Sequence, residues 1–146
     1  MTQQEKIAHL REFYPALHEN LVLPSLFLHD CERLAALPDS ITIVDDFDLH
    51  GSPELKEVPK SLTVGGRFNI SGCMGLANAV YGCGKNSRTI CAYRQPSGKI
   101  VVCLDCFVGD EAECVAAIGQ KYEGAAAADY IAKVRLAFQL FHQNAP

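Results

Sequence analysis

The 146-residue chain has no long apolar run. Its longest apolar stretch, Leu21 to Leu28, is interrupted by Pro24 and Ser25, so no segment is expected to span a bilayer. The opening MTQQEKIAHLR contains no apolar block of the kind a secretion signal needs, and a cytoplasmic protein is expected. One Cys-x-x-Cys pair, Cys103 and Cys106, stands without the second pair that would complete a four-ligand zinc site. No Gly-x-Ser-x-Gly elbow presents a nucleophile. Basic residues are not interleaved with aromatic ones as in RNA-binding motifs. The sequence pI of about 5.7 also opposes non-specific attraction to a polyanion, so direct nucleic-acid binding is not expected.

The composition is that of a chain able to bury a core. Hydrophobic residues make up 49% and charged residues 21%, which excludes a disordered tail or a collagen-like repeat. At this length about two-thirds of the unfolded surface is removed from water in a single domain. The formal net charge of −4 conceals a separation. From Lys56 to Leu104 the basic residues Lys56, Lys60, Arg67, Lys85, Arg88, Arg94 and Lys99 face one acid, Glu57, a local charge of +6; the remainder carries −10.

Seven cysteines, Cys31, Cys73, Cys83, Cys91, Cys103, Cys106 and Cys114, are an odd number, which a secreted disulfide framework disfavours. They are expected as reduced, mostly buried small hydrophobes, with no metal or other cofactor. The alternative is a zinc-stabilised or redox-active protein built on Cys103 and Cys106.

An internal repeat of 21 residues organises the first half. Leu37-Pro38 aligns with Val58-Pro59, Ile41 with Leu62, Ile43 with Val64, Phe47 and Leu49 with Phe68 and Ile70, Gly51 with Gly72, and Leu55 with Leu76. One row earlier, Val22, Leu26, Leu28 and Leu34 align with Ile43, Phe47, Leu49 and Leu55, and Asp30 stands where later rows have Gly. Each row holds two short period-two segments, which predict strands with one apolar face. A single row cannot bury that face; stacked rows turn each apolar column into a continuous core.

The turns LPDSITIVDDFDLHGSPEL and VPKSLTVGGRFNISGCMGL resemble those of short leucine-rich-repeat-like proteins of phage and prophage type. The resemblance is closest at Leu62-Thr63-Val64-Gly65-Gly66 and Asn69-Ile70-Ser71-Gly72-Cys73. It departs at Val44-Asp45-Asp46, where Gly-Gly is expected. It covers roughly Leu17 to Leu76, and the tail with its Cys106-Phe107-Val108-Gly109 junction resembles the C-terminal extension of some of those proteins.

The chain ends predict closure of the stack. Thr2 and Glu5 form a capping box ahead of Ile7, Leu10 and Phe13, predicting a helix over 3–14. Gly72, Gly75, Gly82 and Gly84 predict a loop to about Ser87. Residues 89–93 and 100–103 flank Pro96-Ser97-Gly98 as a hairpin. Asp110 and Glu113 start a helix, Gly124 marks its stop, and Ile131, Val134, Phe138 and Phe141 define one face of a last helix. The expectation is one α+β domain over 1–146: a helical cap over 1–15, a stack of about three repeat turns over 16–78, and a loop with a ββαα cap over 79–146.

Candidate chemistry is sparse. Gly82-Cys83-Gly84-Lys85-Asn86-Ser87 is not a phosphate loop, because Ala79 replaces its first Gly and Asn86 its Ser/Thr. If Phe47 and Leu49 point inward, Asp48 and His50 point outward, and stacking puts His29, His50 and Ser71 in a ladder beside Asp48 and Asn69. The set contains the residue types of a metal site or a Ser–His–Asp triad, but also those of an ordinary solvated sheet face or a protein-binding one. Arg67, Lys85, Arg88 and Arg94 form a second candidate surface, suited to an acidic partner. The expected function is non-enzymatic binding of a host protein or protein complex. The phage-type resemblance implies a mobile-element origin and an inhibitor of a host defence system, of anti-CRISPR type, as one form. The residues leave the oligomeric state open.

Overall fold

A computed structural model describes residues 1–105 and 107–143. The protein is α+β. Helix α1 (Gln3–Arg11) is followed by three pairs of two-residue strands: β1 (Val22–Leu23) and β2 (Leu26–Phe27), β3 (Thr42–Ile43) and β4 (Phe47–Asp48), β5 (Thr63–Val64) and β6 (Phe68–Asn69). The tail comprises β7 (Val80–Cys83), β8 (Arg88–Ile90), β9 (Tyr93–Arg94), β10 (Ile100–Leu104), β11 (Phe107–Gly109), α2 (Glu111–Lys121) and α3 (Gly124–Gln143).

The short strands form parallel ladders. Leu26, Phe47 and Phe68 are successive partners in the sheet β2-β4-β6, and Ile43 pairs with Val64 in the sheet that begins β1-β3-β5. Inward side chains build the core: Leu26, Leu28, Leu34, Ile43, Phe47, Leu49, Leu55, Val64, Phe68 and Ile70 are all buried. Each row is too small to hide these side chains alone, so packing of row on row makes the hydrophobic contribution.

The first row differs from its alignment. Leu23, not Val22, pairs with Ile43. Leu23 is 2% exposed and Val22 48%. Between its two strands the first row has Pro24-Ser25, whereas the second has Val44-Asp45-Asp46, so a constant 21-residue offset slips by one residue. Because strand side chains alternate, that slip exchanges the inward and outward residues.

Glycine is required where rows approach closely. Gly51 (φ +80°) and Gly72 (φ +78°) take the left-handed backbone, and Asp30 adopts it too (φ +54°) at the equivalent place in the first row. Asp tolerates this region better than most residues. A Cβ at Gly65 would collide with the Val44 carbonyl oxygen, and one at Gly66 with the Asp46 carboxylate.

The tail continues the larger sheet as well as covering its end. Tyr93–Arg94 adds β9 parallel to β5, then β10 and β11 follow antiparallel, giving the order β1-β3-β5-β9-β10-β11. Tyr93 carries the inner aromatic column out of the rows. Phe47 and Phe68 stack at 5.1 Å, Tyr93 meets Phe68 edge-on at 5.4 Å, and its hydroxyl donates to the Gly66 carbonyl at 2.8 Å. A second core lies under α2 and α3, where Val134, Phe138 and Phe141 face Val102, Leu104 and Ile118.

Several boundaries differ from the sequence expectation. The helix expected over 3–14 ends at Arg11. The glycine-rich segment is a hairpin of β7 and β8, with Gly82 and Gly84 at positive φ. Its second strand takes residues 88–90, so the hairpin around Pro96-Ser97-Gly98 keeps only 93–94 on its first side. Strand β11 lies immediately before the Asp110 helix start and is absent from the sequence expectation. Helix α2 ends at Lys121, and Gly124 opens α3.

Candidate partner-binding groove

Alternation along β4 sends Phe47 inward and Asp48 outward, and parallel register sets Phe27, Asp48 and Asn69 side by side. The next outward positions are His29, His50 and Ser71. His29 Nε2 lies 3.0 Å from Asp48 Oδ2. Asn69 Nδ2 donates to Asp48 Oδ1 at 3.2 Å, and the same oxygen accepts the His50 N–H at 3.0 Å. Asn69 Oδ1 accepts the Ser71 N–H at 3.0 Å, so rows two and three repeat one side-chain-to-backbone turn. The His29 ring packs edge-to-face on His50 at 6.2 Å and on Phe27 at 6.4 Å.

The ladder holds a His–Asp pair and, among the described residues, no hydrogen bond linking Ser71 Oγ to His50. Cys31, whose thiol donates to the His29 carbonyl oxygen at 3.6 Å, is kept protonated by burial and by Asp30. Neither group is arranged as an activated nucleophile. Among the described residues no cluster of three or more His, Cys, Asp or Glu side chains is placed to hold a metal ion.

The outward face of β2-β4-β6 forms one wall of an open groove of about 620 Å³. Phe27, Asp48, Arg67 and Asn69 line it from the rows, and Arg88 and Lys121 from the tail. The groove therefore brings together residues from the two surfaces that the sequence presents as separate candidates. Its carboxylates are engaged within the fold. Asp48 is held by His29 and Asn69, Asp46 Oδ1 accepts the Arg67 N–H at 2.9 Å, and Asp105 Oδ1 pairs with Arg88 Nη1 at 2.7 Å. Its cations are less so. Arg67 and Lys121 make no ion pair with a described carboxylate, and the buried Nε of Arg88 has no hydrogen-bond partner. Phe27, 61% exposed, adds an apolar surface at the rim.

Cys103 also lines this groove. Burial raises its thiol pKa, opposed by the Phe68 N–H and by the charges of Arg88 and Arg67. Its Sγ donates to the Asp105 carbonyl at 3.3 Å. Cys106, the other half of the Cys-x-x-Cys pair, lies outside the described residues.

The remaining basic candidates do not join the groove. Lys85 is exposed in the β7–β8 turn, and Arg94 lines a separate cleft. Among the groove residues absent from the sequence candidates are Phe27 and Lys121. Phe27 carries a signal, being an apolar side chain at an outward position. Lys121 carries none, because only the docking of α2 brings it there.

No protein-family model matches the chain, and neither a curated protein nor a solved structure does.

Proposed function

We propose that the protein is a non-enzymatic, leucine-rich-repeat-like interaction module of phage or mobile-element type that occupies an acidic surface on a host protein or complex, as an inhibitor of anti-CRISPR type would. The observation that carries this reading is the charge state of the groove. Its acids hold partners within the fold while Arg67 and Lys121 are left for an external anion, beside an exposed Phe27. An aromatic flanked by arginine is the composition of binding hot spots, and unpaired charge at a rim steers encounter. Short parallel rows with an outward column of His29, Asp48, His50, Asn69 and Ser71 present side chains as repeat proteins do to partners.

The test compares bacterial partners retained by the wild-type protein and by an Arg67→Glu/Lys121→Glu variant, using immobilised protein and quantitative mass spectrometry. A partner retained by wild type, released by salt and lost from the variant is expected. If every partner is retained equally by both, the groove is not the binding surface.

A further inference from the structure

A second cleft, of about 730 Å³, lies between the turn at 57–61 and the end of α3; it holds the bases Lys60 and Arg94 and the acids Asp39 and Glu57, and shares no lining residue with the groove. Lys60 Nζ sits 5.1 Å from the centroid of the Phe141 ring, and the Arg94 guanidinium carbon 5.9 Å from the same centroid. The ring is 6% exposed and belongs to the core under α3, so it is a fixed platform. Arg94 is equally fixed at its base, being paired with Thr63 and Ile100 across two strands.

Three of the other polar side chains of the cleft are already used. Ser61 Oγ accepts the Ser40 N–H at 2.8 Å. Asn78 accepts the Val58 N–H at 3.2 Å and donates to the Val58 carbonyl at 3.0 Å. Asp39 lies 3.7 Å from Lys6. Neither Lys60 nor Arg94 makes an ion pair with a described carboxylate, although Glu57 lines the same cleft. Each cation sits over the Phe141 ring without a described carboxylate partner, so an incoming oxyanion gains a charge-assisted hydrogen bond from each cation it reaches.

We propose that this cleft binds a side-chain carboxylate from an acidic segment of a partner protein, with Lys60 and Arg94 as its clamp. A nucleic-acid strand fits poorly. Phe141 lies buried beneath the cations with no open face on which a base stacks. The clamp is independent of the groove, because it uses different residues and needs only local charge complementarity.

The test is an NMR titration of the full chain at low salt with a capped peptide carrying two glutamates spaced by glycines. Saturable shifts of the Lys60, Ser61 and Arg94 amides are expected. Lys60→Gln and Arg94→Gln, which keep an aliphatic stem near the ring, each weaken binding about tenfold, as loss of one charge-assisted bond implies. Arg67→Gln/Lys121→Gln leaves the peptide affinity unchanged and serves as the control that separates this cleft from the groove. The proposal is overturned if the shifts map to the groove alone, if both cleft variants bind as wild type does, or if oligothymidylate displaces the peptide from these amides. A folded amide spectrum for each glutamine variant shows that lost binding is not lost structure.

Discussion

His29 and Asp48 belong to adjacent rows of the stack and meet at 3.0 Å on its outward face. The same carboxylate accepts the backbone N–H of His50 and the side-chain amide of Asn69, so one residue ties three rows together where the apolar core cannot reach.

That arrangement makes Asp48 a structural acceptor. Asp48→Ala is expected to cost about 1 kcal/mol, the usual net worth of lost side-chain hydrogen bonds at a partly exposed site. Asp48→Asn keeps an oxygen for the His50 N–H, as Asn69 does for Ser71 in the next row, and is expected to fall between wild type and alanine. Urea midpoints give the order. An asparagine variant as unstable as the alanine one would show that charge, not acceptor geometry, matters here.

Tyr93 joins the tail to the rows through its ring and its hydroxyl. Tyr93→Phe keeps the edge-on contact with Phe68 but strips the Gly66 carbonyl of its partner. A loss of about 1 kcal/mol is expected, the net worth of a hydrogen bond at a partly buried site. Chemical denaturation should show a lower midpoint with an unchanged slope, since the area exposed on unfolding is the same.

Thiol reactivity should follow burial. Burial pushes the Cys83 thiol up to about 11 and Cys114 up to about 12, and raises Cys91 further. Thiolate is the reactive form, so these three are nearly inert to iodoacetamide at neutral pH. Among the described cysteines, Cys31, which is only partly buried, should be alkylated first. Peptide mapping against time decides this; early labelling of Cys91 or Cys114 in folded protein would contradict the packing described.

Helix α2 opens with a reciprocal cap. Asp110 accepts the Glu113 N–H at 2.9 Å, and Glu113 accepts the Asp110 N–H at 3.0 Å. The Asp110 N–H and the Lys99 ammonium hold the Glu113 carboxyl below its ordinary value. A carboxyl depressed on folding contributes stability that is complete above its unfolded value, about 4.3, and is lost as pH falls through the lower folded value. Glu113→Gln keeps a capping acceptor and removes the titration. The variant should therefore lose less stability than wild type between about pH 5 and pH 3. Parallel loss in both proteins, measured by denaturant midpoints across that range, would remove Glu113 from the acid response.

Local chemistry is legible in the order of residues along the chain. The Thr2–Glu5 and Asp110–Glu113 boxes form as their spacing requires, because both partners lie within one turn. Leu26, Phe47 and Phe68 share a column because the side-chain period of a strand is two and the offset between their rows is constant. The ladder of His29, Asp48 and Asn69 follows from the same two facts. Where the offset slips, at Val22 and Leu23, row alignment selects the wrong inward residue, since one missing residue between two short strands leaves no mark on composition.

Tertiary structure alone decided what the outward residues face. Arg67 and Arg88 lie beside the Asp48 column, while Arg94 and Lys60 meet Phe141 of the last helix, because β9 extends one sheet and α3 folds back over its end. The sequence determined the charge separation, the apolar columns and the helix starts, all set by residues close in the chain. Which cations lack a described carboxylate partner depends on contacts between segments far apart in sequence, and spacing along a chain carries no information about those.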